Sequence, residues 1–199
     1  MSAASAGAIL LASSSPRRVN LLQQIGLTFD VMSPDVDESR MSGEAPEDYV
    51  QRLSRTKAAA GLAHAPKHVV IAADTIVALD QEVLGKPAGR EDGVRMMLEM
   101  SGRSHCVLTG LTVAVAGESK STVVASDVCF RNLSKQEAEA YWRTGEPADK
   151  AGGYGLQGIG GIFVTQVTGS PSAVMGLPVQ ETEEFLTYFG VDTWGGRIV

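Results

Sequence analysis

Val69–Leu79, VVIAADTIVAL, is apolar at every position except Asp74 and Thr75. A continuous β-branched run of this length reads as a strand buried on both faces of a sheet. Helical patterns bracket it at Pro46–His64 and Arg90–Met100. Further out, strands are predicted at Ala8–Ala12, Thr28–Met32, His105–Ala116, Thr122–Phe130 and Gly161–Val167, all rich in Val, Ile and Thr. Helices are predicted at Pro16–Ile25, Ser134–Thr144 and Pro178–Phe189, the last closed by Gly190 as its C′ residue. Strands and helices mix throughout, with one late hairpin, so the class is α/β: a single domain with a mixed central sheet flanked by helices. No linker or charge run divides the 199 residues, so 8–199 read as that domain behind a short lead-in, residues 1–7.

The formal net charge of −6 argues against a basic face for nucleic acid, so phosphate recognition has to be local and the ligand small. No apolar stretch reaches transmembrane length, and Met1–Gly7 lacks the basic and apolar regions of a signal peptide. A cytoplasmic protein without a membrane partner is expected. Cys106 and Cys129 sit in apolar strand-like runs and suit reduced thiols. A hairpin turning at Gly117 and Glu118 would set them opposite each other.

Leu11–Arg18, LASSSPRR, leaves a strand and opens a helix. Ser15 fits the N-cap and Pro16 the first helical position. Arg17 and Arg18 then occupy the first turn, where the helix dipole favours anions, a placement that costs a few tenths of a kcal/mol. A phosphate group on the helix amides and the two guanidinium forks would offset that.

Asp74 is the next candidate, because a lone carboxylate in a buried strand has to be neutralised, paired or bound to a cation. Otherwise it caps a neighbouring loop at a strand end. Asp35, Asp37 and Glu38 gather after the strand ending near Met32; with Asp74 they could hold a hard cation such as Mg²⁺, or they are simply solvated. Lys57 falls in the apolar arc of Val50, Leu53 and Ala60, where it either meets an anion or snorkels to water. Lys86, in the turn LGKP, either meets a phosphate or is exposed.

Asp149–Gly161, DKAGGYGLQGIGG, contains GxGxxG at Gly153, Gly155 and Gly158, but a helix precedes it and a strand follows, the reverse of a dinucleotide fingerprint. These glycines are expected to shape a close-packed loop that presents Tyr154 and Gln157 to a ligand. His64 and His68 are separated by the helix breaker Pro66, and His105 stands alone. Nucleophile-elbow and Walker motifs are absent from the sequence.

In order and spacing, SPRR at Ser15–Arg18, VDE at Val36–Glu38, ADT at Ala73–Thr75, LGKP at Leu84–Pro87 and DKAGGYGLQG resemble the Maf family over nearly the whole chain after Gly7. The resemblance implies the fold of the inosine-triphosphate pyrophosphatases and metal-dependent hydrolysis of nucleoside triphosphates to the monophosphate and pyrophosphate. The YGxQG form is similar to the dTTP and UTP pyrophosphatases, which clear unwanted or modified pyrimidine nucleotides. The resemblance makes Asp74 the catalytic proton acceptor and Glu38 a metal-site carboxylate. Arg17, Arg18, Lys57 and Lys86 become the phosphate-facing cations, Lys86 close to the chemistry. Arg17, Thr75 and Gln157 match positions tied to substrate choice. It also implies Mg²⁺ or Mn²⁺ as cofactor and a homodimer. Ala72 departs from the pattern, where glycine is common, by one methyl group.

Attack of water on an α-phosphate needs in-line positioning, charge neutralisation and a base, which these residues can supply. Asp74 as a metal ligand and Asp74 as a base look identical in the sequence. A noncatalytic nucleotide-binding regulator linked to septum formation would keep the arginines but lose Asp74 or Glu38. A purine-directed pyrophosphatase is disfavoured by the Tyr154–Gln157 loop.

Overall fold

β3, Val69–Leu79, lies inside a seven-stranded sheet, and each of its residues except half-buried Thr75 is buried. The structure, a computed structural model, describes residues 7–80 and 82–195, so the expected lead-in lies outside the described residues except for Gly7. Before β3 come β1 (Ile9–Ala12), α1 (Pro16–Gln24), β2 (Asp30–Met32) and α2 (Pro46–His64). After it come β4 (Glu82–Leu84), α3 (Arg90–Met100), β5 (Ser104–Val115), β6 (Glu118–Phe130) and α4 (Lys135–Arg143). Short 3-10 helices at Glu146–Asp149, Ala151–Gly153 and Ile159–Phe163 lead to β7 (Val164–Thr168), α5 (Pro171–Val174) and α6 (Val179–Tyr188).

The strand order is β2-β1-β3-β5-β6-β7, with β4 paired to β3. β1 runs parallel to both neighbours, Leu10 facing Asp30 on β2 and Val70 on β3. β4 and β7 pair antiparallel with β3 and β6. The sheet is therefore mixed and carries helices in its crossovers, which is the α/β architecture the sequence predicts.

The differences are local and physical. β4 has three residues, too few for a period-2 pattern to register. Gly161–Phe163, read as strand, closes a 3-10 helix, and β7 begins at Val164. The hairpin turns at Ala116 and Gly117, one residue earlier than expected, with Gly117 at φ 87. The Phe130 amide donates to the Arg103 carbonyl at 3.0 Å, a register that pairs 103 with 130 rather than 106 with 129. Cys106 and Cys129 are thus not opposite each other; both are half-buried and neither is in a disulfide.

The chain divides into two compact units: Met1–Asp74, Thr109–Val124 and Gly176–Val199 form the first, and Thr75–Leu108 and Ala125–Met175 the second. In the first, small side chains let α2 lie close to the sheet. Leu10, Ala12, Ala58, Val70, Ala72 and Ala114 form one buried cluster. A Cβ on Gly61 would stand 2.6 Å from Val70 Cγ1, and one on Gly110 would stand 2.3 Å from the Val50 carbonyl oxygen. The Ser54 and Thr112 hydroxyls share a buried hydrogen bond of 2.9 Å at the same contact. This close packing fixes the rotation of α2, and with it the direction of Lys57 one turn further on.

The second unit has its own apolar core, in which Met97, Met100, Phe130, Tyr141 and Phe163 take part. Its helix α4 starts on a complete capping box: Ser134 Oγ accepts from the Glu137 amide, and the Glu137 carboxylate accepts from the Ser134 amide. Among the described residues no helix is long and apolar enough to cross a membrane.

Candidate active site

α1 opens as its sequence dictates, with Ser15 as N-cap (φ −75°, ψ 116°) and Pro16 in the first turn. The Ser15 side chain makes no cap bond and the first turn holds no acid, so no carboxylate of that turn offsets its positive end. Arg18 is built in more firmly than the sequence suggests. Its Nε donates to the Gly176 carbonyl at 2.7 Å and its Nη1 to Ser13 Oγ at 3.1 Å. Ser13 Oγ also accepts from the Ser15 amide at 3.2 Å, so one buried hydroxyl orients both the turn and the guanidinium. Burial pulls the Arg18 pKa down and Asp74 pulls it up, while Arg17 lowers it and Glu38 raises it. Arg18 remains charged, as arginine does in proteins, within the field of both carboxylates.

Lys57 is the centre of this group. It is 6% exposed, and its Nζ lies 2.6 Å from Asp74 Oδ1 and 2.6 Å from Glu38 Oε1. The choice left open by the sequence is resolved: Lys57 does not snorkel, and Asp74, itself 9% exposed, is paired. Two carboxylates on one ammonium leave a net negative charge, which a cation or the nearby arginines can balance.

The loop carrying Glu38 is tied to the start of α2. Tyr49 Oη donates to the Glu38 carbonyl at 2.7 Å, and Arg52 Nη2 donates to the Ser39 carbonyl at 3.0 Å. Arg52 also grips Glu44 through Nε at 2.6 Å and Nη2 at 2.9 Å, which with the Met41 amide holds the Glu44 carboxyl down to about 2. Burial, then the charges of Asp74 and Glu38, raise the Tyr49 hydroxyl. Of the acidic cluster only Glu38 reaches Lys57. Asp37 instead accepts from the Ser39 amide at 2.8 Å in a local turn, and Asp35 is exposed.

Thr75 follows Asp74 on β3 and is half-buried; Lys86 is exposed in the turn after β4, and Gln157 is exposed in the glycine loop. That loop is folded around Glu146. Glu146 Oε1 accepts from Tyr141 Oη at 2.7 Å and from the Gly160 amide at 3.0 Å, and Oε2 accepts from the Ile159 amide at 2.8 Å. A Cβ on Gly158 would come within 2.3 Å of Glu146 Oε2, and one on Gly160 within 2.6 Å of Tyr141 Oη. These glycines are there to admit a carboxylate and a phenol of the protein itself. Burial works against ionisation of Glu146, but the Gly160 amide, the Tyr141 hydroxyl and the Ile159 amide bring its pKa below the ordinary value.

Two expectations need correction here. Tyr154 is not presented to a ligand: it is 6% exposed, and its hydroxyl shares a 2.7 Å hydrogen bond with His105 Nε2. His105 does not stand alone; it also meets Phe130 edge-on at 4.9 Å, and burial lowers its pKa to about 4. An isolated polar residue on a strand gives no sign of a partner 49 positions away. The contacts of Ser13, Tyr49 and the Gly176 carbonyl leave no sign in the sequence for the same reason, although Ser13 stands inside the LASSSPRR motif.

Among the described residues no three His, Cys, Asp or Glu side chains form a metal cage. Asp74 and Glu38, brought together on Lys57, do fit a Mg²⁺- or Mn²⁺-type ion, which takes one or two carboxylates and fills its shell with substrate phosphates and water. They would be its protein ligands.

Comparison with known proteins agrees with the motifs. The family model described as "Maf-like protein" matches residues 8–189. A "dTTP/UTP pyrophosphatase" of Vibrio cholerae is 53% identical over 182 residues, covering 91% of this chain and 97% of that protein. One of Saccharophagus degradans is 49% identical over 190 residues, covering 94% and 90%. Among solved structures, the Ham1 protein of Staphylococcus aureus is similar at a TM-score of 0.44 and 19% identity, over 61% of this chain and 71% of that one.

Proposed function

The chain belongs to the Maf family, and from that premise we propose that it hydrolyses pyrimidine nucleoside triphosphates, dTTP and UTP first, to the monophosphate and pyrophosphate. The observation that carries this reading is Lys57 held at 2.6 Å from both Asp74 and Glu38, in the field of Arg18.

Hydrolysis at the α-phosphorus needs little covalent chemistry from the protein and much positioning. Arg17 and Arg18, with the amides of the uncapped α1 turn, take phosphate oxygens and spread charge as the P–O bond to pyrophosphate breaks. Lys57 holds Asp74 and Glu38 in fixed orientation. Asp74 accepts the proton of the attacking water, whose oxygen forms the new bond to phosphorus. Lys86 balances charge on the departing pyrophosphate. Thr75 and Gln157 select the substrate, Gln157 by accepting from N3–H of a uracil or thymine edge and donating to a ring carbonyl. A divalent ion bound by Glu38 and Asp74 would supply charge neutralisation and lower the pKa of a coordinated water.

A cytoplasmic location and a homodimer belong to the same proposal, the first supported by two cysteines outside any disulfide, which suit a reducing compartment. Light scattering of the purified protein tests the second. The function is tested with canonical and modified nucleoside triphosphates in Mg²⁺ or Mn²⁺, separating pyrophosphate from orthophosphate among the products. Pyrophosphate with dTTP and UTP is the expected result; orthophosphate alone, or no turnover on any triphosphate, overturns it.

A further inference from the structure

Gln157 sits at the third position of a turn closed by the Gly158 amide on the Gly155 carbonyl at 3.3 Å, with its side chain exposed at the tip. An exposed amide on a turn is a poor discriminator unless the turn is immobile, because an amide that swings or flips matches uracil and cytosine equally. Both ends of this turn are fastened to one pair of side chains on and beside α4. At its start the Gly155 amide donates to Tyr141 Oη at 3.2 Å, and that hydroxyl donates in turn to Glu146 Oε1 at 2.7 Å. At its end the amides of Ile159 and Gly160, the first two of the 3-10 helix, donate to the two oxygens of Glu146. Glu146 is anchored as well: its own carbonyl accepts from Lys150 Nζ at 2.7 Å.

We propose that Glu146 is the positioning residue for base selection, its carboxylate fixing where Gln157 is displayed by holding the Tyr141 hydroxyl and the Ile159 and Gly160 amides. This rests on the reading of Gln157 given above. The charge is needed as well as the shape. Three donors converge on the two oxygens, which an ionised carboxylate accepts with its four lone-pair sites. A glutamine would turn an NH₂ toward one of those donors. Tyr141 then acts through Glu146, as the bridge to the front of the turn.

The test compares kcat and KM for dTTP, UTP, dCTP and CTP in the unaltered protein, Glu146→Gln, Glu146→Ala, Gln157→Ala and the double variant Glu146→Ala/Gln157→Ala. Removing the carboxylate is expected to raise KM for dTTP and UTP and reduce their preference over dCTP and CTP about tenfold, with kcat held within about threefold. Glu146→Gln falls between the two. In the Gln157→Ala background the Glu146 change has no further effect on preference, an outcome a merely structural role would not give. If Gln157→Ala reduces the preference while folded Glu146 variants keep it, or if the two changes add, the positioning role fails and the base reading stands. If Gln157→Ala leaves the ranking untouched, the base reading fails and takes this role with it. Should Glu146→Ala not fold, Tyr141→Phe, which removes one hydroxyl and keeps the carboxylate, gives the same comparison; an unchanged ranking there and in Glu146→Gln overturns the proposal.

Discussion

Lys57 on α2 meets Asp74 on β3 end to end, Nζ to Oδ1 at 2.6 Å, with both side chains nearly out of solvent. A buried ion pair of this kind is weak evidence for stability, since desolvation offsets much of the attraction. Removing the ammonium is the costly break, because Asp74 then stays buried without it, whereas Lys57 keeps Glu38 when Asp74 is neutralised.

Asp74→Asn keeps the shape of the side chain and leaves Lys57 with Glu38. It should fold with a near-normal melting temperature yet lose turnover by about 10²- to 10⁴-fold, the usual worth of a positioned base. Near wild-type turnover of dTTP in that variant would sink the assignment. Lys57→Met does the reverse, leaving two carboxylates facing each other without an ammonium. It should lose about 3–5 kcal/mol of stability, and the melting temperature should recover more in Mg²⁺ or Mn²⁺ than the unaltered protein gains. No differential effect of the ion would count against Asp74 and Glu38 as its ligands.

For Arg18 the structure changes the prediction. A cation at the positive end of a helix should be neutral or slightly stabilising to remove. Arg18, however, donates to Ser13 Oγ and the Gly176 carbonyl, and Arg18→Ala leaves both without that donor. Lost bonds to a charged group outweigh the dipole term, so the melting temperature should fall, by about 1–3 kcal/mol in stability, along with catalysis. Arg18→Lys should recover little, because one ammonium cannot reproduce a fork aimed at two acceptors. A melting temperature unchanged in Arg18→Ala would show these bonds to be energetically idle.

His105 predicts a pH dependence of folding. Its folded pKa of about 4 lies below the ordinary 6.5, with burial as the cause, so between those values the unfolded chain binds more protons than the folded one. Stability from this group is fully present above pH 6.5 and is lost as pH falls toward 4, at no more than about 1.4 kcal/mol per pH unit. Denaturant midpoints of the unaltered protein should drop through that window, and those of His105→Gln should drop less. Parallel curves for the two proteins would refute it. Below pH 4.5 the carboxyls of Glu44 and Glu137, both held at about 2, add a further loss in either protein.

The parts legible in the sequence are those whose signal is local. Ser15 and Pro16 mark the start of α1 within two residues, Asp74 breaks an otherwise apolar run, and the helical period turns Lys57 inward. Each speaks through its neighbours in the chain. The Gly176 carbonyl that holds Arg18 is 158 residues away and is backbone, so no residue type announces it. Glu146 looks like an ordinary acid before a proline; its work is done on amides of glycine and isoleucine, which any sequence would supply. Tyr154 reads as displayed because it stands among glycines, but it is buried in the apolar core of its unit, with its hydroxyl bonded to a histidine of β5.

Selectivity for the base is the prediction that separates this protein from a general triphosphatase. In the proposed reading, Gln157 on its turn would present an acceptor to N3–H and a donor to the C4 carbonyl, as uracil and thymine require and cytosine, which has an unprotonated N3 and an amine at C4, does not. Facing cytosine, a locked amide sets acceptor against acceptor and donor against donor. Such a mismatch leaves desolvated groups unpaired and can cost several kcal/mol, whereas a free amide would rotate and lose little. dTTP and UTP should therefore be cleaved far faster than dCTP and CTP. Gln157→Glu should reduce that preference, because a carboxylate has no donor for the ring carbonyl and repels it. Steady-state kcat/KM for the four triphosphates decides the matter: equal values for dCTP and dTTP in the unaltered protein would mean that the turn does not read the base at all.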